Sequence, residues 1–123
     1  LMSVALIGGT TSASAALAFN AQTGTTYTFV LADADNKLVT ASNASAQTYS
    51  IPTNASVAFP IGTQLNIIQI GAGQVTVSAA TPGTTTVVST GATSASPKCR
   101  AQYSAMTLIK RDTDSWYAVG DIA

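Results

Sequence analysis

Few residues in this chain could do chemistry, and their setting limits what each could do. Cys99 is the single thiol, and there is no His and no Glu, so all five acidic residues are Asp. A cysteine nucleophile needs a base nearby to hold it as thiolate, and without His the usual partner is missing. Cys99 is therefore expected to be a buried structural thiol. Asp112 and Asp114 flank a short turn and could suggest the paired carboxylates of a glycosidase. A general acid needs a buried carboxyl of shifted acidity, whereas two Asp in a short turn are expected to be solvated. Asp33-Ala34-Asp35-Asn36-Lys37 opens like a calcium loop but lacks that loop's glycine and distal Glu, so a charged β-turn is expected. No catalytic residue, cofactor site or metal site is assigned, and enzymatic function is not expected.

Aromatic side chains are the remaining means of contact. Tyr103, Trp116 and Tyr117 fall in the last third of the chain. Trp116 and Tyr117 are adjacent in a run with strand character, so they face opposite sides and one of them points away from the core. Such an aromatic could serve an oligomer interface, the favoured reading, or a glycan site. Two triplets, Asn43-Ala44-Ser45 and Asn54-Ala55-Ser56, match the N-glycosylation acceptor pattern. In a chain this rich in Ala, Ser and Asn they are expected by chance, and the sequence around them does not repeat, so no solenoid is expected.

The elements that must position these residues are strands. A chain of 123 residues fits one domain, and folding at this size hides about two-thirds of the unfolded surface. Only 8% of residues are charged and the net charge is zero, so no basic field exists to gather a nucleic acid. Low charge with positive mean hydropathy favours association. Residues 25–31 alternate Tyr27, Phe29 and Leu31 with Thr26, Thr28 and Val30, the period of a strand. Residues 63–70 carry apolar side chains on both faces, and Gly71-Ala72-Gly73 is expected to turn them into a hairpin with residues 74–78. Further strands are expected at 37–40, 48–51, 56–59, 84–88, 99–103, 106–110 and 116–119, the last two forming a hairpin through residues 112–115. Residues 79–97 are expected to form a long surface loop containing one strand. Short strands with turns about every ten residues predict an all-β fold, a single antiparallel sandwich or barrel.

Residues 1–19 carry no charge and run from an apolar start into small residues. Ala16-Leu17-Ala18 has the small-x-small pattern of a signal cleavage site, but no Lys or Arg precedes the apolar part and Gly8-Gly9 interrupts it. The apolar run is too short to span a bilayer, so no membrane partner is expected. The favoured reading is an extended arm, residues 1–19, before a β-domain at 20–123. Its contact candidates are Val4, Leu6, Ile7, Leu17 and Phe19.

Residues 20–34, 56–64 and 71–77, which include Tyr27-Thr28-Phe29-Val30-Leu31 and Gly71-Ala72-Gly73-Gln74-Val75, resemble a recurrent β-rich module of tailed-bacteriophage virion proteins. Residues 102–110 and 116–123 resemble the same module's closing hairpin. The resemblance implies a part of a capsid decoration protein, head fibre or tail appendage, commonly trimeric, and brings no catalytic residue. With the arm, it leads to the expectation of a trimeric cement protein on the capsid surface, partnered by itself and by the major capsid protein. The alternative is a receptor-binding module of a head or tail fibre that attaches to a host glycan.

Overall fold

In the computed structural model the structure describes residues 16–90 and 96–123. The fold is all-β, with two sheets around one core. A six-stranded sheet contains β1 (Ala18–Gln22), β3 (Lys37–Ala41), β5 (Gln64–Gln69), β7 (Thr86–Ser89), β8 (Ala105–Asp112) and β9 (Ser115–Gly120). Its spatial order is β1-β3-β5-β8-β9-β7. A three-stranded sheet is ordered β2 (Thr26–Thr28), β4 (Gln47–Ile51), β6 (Val75–Ala79). A short 3-10 helix, Leu31–Ala34, lies between β2 and β3.

From β1 to β6 the chain passes alternately through the large and the small sheet. Each strand pairs in parallel with the strand one pass later, as in Phe19↔Leu38 and Val39↔Ile67 in one sheet and Tyr27↔Tyr49 and Tyr49↔Val77 in the other. Three stacked passes of a coil result. Parallel strands need a crossover, and here the crossover is a strand of the opposite sheet. Antiparallel pairing is confined to β5 with β8 and β8 with β9, and β7 closes the large sheet parallel to β9. The expected antiparallel domain is thereby corrected to mixed sheets dominated by parallel pairs. The backbone also stacks as a coil that the non-repeating sequence did not announce.

The expected hairpin of residues 63–78 is corrected as well, because β5 and β6 belong to different sheets. Gly71-Ala72-Gly73 hands the chain from one sheet to the other, directly against the corner of the preceding pass. A Cβ on Gly71 would lie 2.5 Å from Asn43 N, and one on Gly73 only 1.8 Å from Ser45 O. These glycines are required by close approach of two backbones. The Gly73 N–H donates to Asn43 O at 2.8 Å, and Asn43 Nδ2 donates to Thr23 O of the first pass at 2.8 Å, which ties three corners together. Residues 56–59 and 99–103 form no strand; Phe59 instead folds inward and Cys99 makes an isolated bridge with Ile122. The hairpin of β8 and β9 is as expected, and β7 is the strand within the loop expected at 79–97.

Alternation by two builds the core. Val39 and Ala41, Tyr49 and Ile51, Leu65 and Ile67, Val75 and Val77, Met106 and Leu108, and Trp116 and Ala118 all point inward from their strands. Tyr27, Phe29 and Tyr49 pack ring against ring with centroids 5.6 to 6.0 Å apart, and Phe59 meets Trp116 edge to face at 5.5 Å. Leu31, expected to share the face of Tyr27 and Phe29, is turned outward by the 3-10 helix.

Candidate interaction surface

The outward face of the six-stranded sheet collects side chains from every strand. Register places Phe19, Leu38, Asn66, Thr107 and Val119 in one row across β1, β3, β5, β8 and β9. A second row runs Gln64, Ile109, Tyr117 and Val88 across β5, β8, β9 and β7. Phe19 is 72% exposed, and Tyr117, Val119 and Val88 are each more than two-fifths exposed. The rows form an apolar band interrupted by neutral polar groups, of which Thr107 Oγ1 donates to Asn66 Oδ1 at 2.8 Å. A cation borders the band: the Arg111 guanidinium lies 5.3 Å from the Tyr117 ring centroid and donates to Ser115 Oγ at 2.7 Å.

The aromatic candidates separate. Trp116 is 1% exposed beneath Phe59, which removes it as a contact residue, and Tyr117 is the outward member of the pair. Tyr103 is 69% exposed in the segment before β8, with a left-handed backbone at φ 69°. It lies outside both rows. Phe19 belongs to β1 and Leu17 immediately precedes it, exposed. Val4, Leu6 and Ile7 lie outside the described residues.

The polar residues are more engaged than their positions suggest. Asp33, expected in a charged β-turn, is buried and accepts from Tyr27 Oη at 2.7 Å, Asn20 Nδ2 at 2.8 Å and Val30 N at 2.9 Å. Burial and the neighbouring Asp33 push the Tyr27 hydroxyl up to about 12. Asp114, also expected to be solvated, is half-buried and accepts from Asn54 N at 2.8 Å and Thr85 Oγ1 at 3.2 Å, pinning two loops to the β8–β9 turn. Burial raises the Cys99 thiol to about 11, far from a thiolate at neutral pH. Two surface hollows of about 320 and 390 Å³ are present; the first has no ionisable lining residue and the second has Lys37 alone. Among the described residues no three His, Cys, Asp or Glu come together as ligands for a metal ion, and no helix is long and apolar enough to cross a membrane.

Lys110 was missed from sequence. It alternates inward on β8 and is 2% exposed, a position at which apolar residues are the rule. The signal was available in the alternation of Met106, Leu108 and Lys110. No protein-family model, curated protein or solved structure matches this chain.

Proposed function

We propose that this protein is a structural component of a tailed-bacteriophage virion, a trimeric decoration or cement protein that stabilises the capsid by bridging its subunits. The observation that carries this reading is the apolar outward face of the large sheet, which spans its strands from Phe19 to Val88. Such a face can be covered without burying unpaired charge, which is costly. A specific interface hides roughly 800 Å² on each partner, and a face crossing a six-stranded sheet can supply that area. The architecture that accompanies this reading is a sandwich-like unit with an N-terminal arm. The first strand, β1, is an edge strand of the large sheet, a position at which a strand of a neighbouring subunit can add. Binding only to the assembled shell would stabilise that shell by mass action, and several arms on one trimer would add avidity.

Two measurements test the proposal. Light scattering of the purified protein is expected to give three copies, and Phe19→Ser with Tyr117→Ser is expected to weaken their association. Particles stripped of the protein are expected to lose heat resistance and to regain it on adding it back. Unchanged resistance would refute the cement role.

A second reading, a host-glycan adhesion module, is favoured by Tyr103. A non-glycine residue held at φ 69° with its ring in solvent is the kind of local strain that accumulates at binding sites. Glycan-array binding lost in a folded Tyr103→Ala variant would select this reading over the first.

A further inference from the structure

Lys110 presents a chemical problem, because its side chain is buried. Its Nζ donates to Asn54 Oδ1 at 2.7 Å and to the Phe59 carbonyl oxygen at 2.7 Å, and lies 5.9 Å from the Trp116 ring centroid. The one ion pair among the described residues joins Arg100 and Asp121, so this buried amine has no carboxylate in contact. A buried ammonium without a counter-charge is expensive to keep. The two hydrogen bonds hold the amine against the Asn54 carboxamide. The carbonyl carbon of Asn54 lies one C=O bond, about 1.2 Å, beyond the oxygen the amine already touches.

We propose that Lys110 and Asn54 form an intramolecular isopeptide bond in the folded protein. In the reaction the neutral Nζ attacks Asn54 Cγ, and the carbonyl electron pair moves onto Oδ1. Collapse of the tetrahedral intermediate re-forms the carbonyl and breaks the Cγ–Nδ2 bond. The proton lost from Nζ goes to the departing nitrogen, which leaves as ammonia; a lysine that starts as ammonium yields ammonium instead. No oxidant, metal or co-reactant is needed, and the product is a neutral amide where a charged group would otherwise be buried.

The surroundings supply what the reaction needs. β8 fixes Lys110, and the Phe59 carbonyl restrains its amine within reach of the carboxamide. Rotation of that carboxamide about its Cβ–Cγ bond leaves Cγ in place and turns the open face of the carbonyl toward the nucleophile, for which a separation of about 3 to 3.5 Å is the productive range. Asp114 holds the Asn54 backbone N–H at 2.8 Å and is itself held by Thr85 Oγ1, which makes it a positioning residue. Phe59 and Trp116, packed edge to face at 5.5 Å, cover the Lys110 side of the contact, while Asn54 is half-buried. The bond would form within an isolated chain, so the inference stands apart from any role in a virion.

The test is the intact mass of the purified, folded full chain, followed by proteolysis and fragmentation. The expected result is a mass lower than that of the sequence by one ammonia, with a branched peptide joining the segments that carry Lys110 and Asn54. Lys110→Arg and Lys110→Met are each expected to restore the full sequence mass, and Asp114→Ala to slow the loss of ammonia. Folded wild-type protein that keeps its full mass after long incubation would overturn the proposal without recourse to any variant. So would a mass loss that persists in the Lys110 variants, because that marks ammonia lost by succinimide formation at an asparagine without the lysine.

Discussion

Replacing Gly73 by Ala tests the stacked-coil corner most directly. The added Cβ would sit 1.8 Å from Ser45 O, whereas ordinary van der Waals contact begins near 3.4 Å, so two backbones must separate by the difference. The Gly73 N–H to Asn43 O bond of 2.8 Å spans the same gap and would break, at about 1 kcal/mol net. Overpacking a site that cannot relax adds about 2 kcal/mol, for a total near 3 kcal/mol. At this chain length each kcal/mol moves the melting temperature by about 4 °C, so a fall of about 12 °C is expected. Circular dichroism melts of wild type, Gly73→Ala and Gly24→Ala make the comparison. Gly24 has only Thr26 O near its would-be Cβ, at 3.7 Å, and its replacement should be neutral within about 0.5 kcal/mol. If Gly73→Ala melts within about 2 °C of wild type, the close stacking of the corners is wrong.

Other consequences are open to equally simple measurements. Tyr27→Phe removes the 2.7 Å donor to buried Asp33 and should cost about 1 to 3 kcal/mol in urea unfolding; an unchanged midpoint would contradict the buried cluster. Cys99, raised to about 11 by burial, should react with a disulfide reagent at least about 100-fold more slowly in the native than in the unfolded protein at neutral pH. Hydrogen bonds from Arg100 and Ser104 hold Asp121 down to about 2, below its ordinary 3.8. A carboxylate depressed in the folded state contributes stability that is complete above its unfolded value and fades as pH falls from about 4 toward 2. Asp121→Asn should therefore flatten stability in that acid window and leave the shape of the profile above it unchanged. A wild-type acid profile retained in the variant would argue against the pair.

Strand positions could be seen in the sequence wherever side chains alternate. Lys37–Ala41, Gln47–Ile51 and the pair formed by Ala105–Asp112 and Ser115–Gly120 sit where the period of two places them. Pairing partners could not be seen there, since backbone hydrogen bonds carry no side-chain signature. A glycine pair serves a tight hairpin and a close backbone crossing equally well. The apolar band was legible in part: that one of Trp116 and Tyr117 faces outward followed from their adjacency, whereas the choice of Tyr117 and the row from Phe19 to Val119 exist only once burial and register are known.

The sequence by itself determined an all-β chain of zero net charge, with Trp116 and Tyr117 on opposite faces of one strand, because composition and a period of two are local properties. Tertiary structure alone decided that the strands stack as parallel passes of a coil, that Asp33 and Asp114 serve as pins, and that Lys110 meets Asn54. Those outcomes depend on contacts between residues distant along the chain, and the chain's local preferences are compatible with either arrangement of the strands.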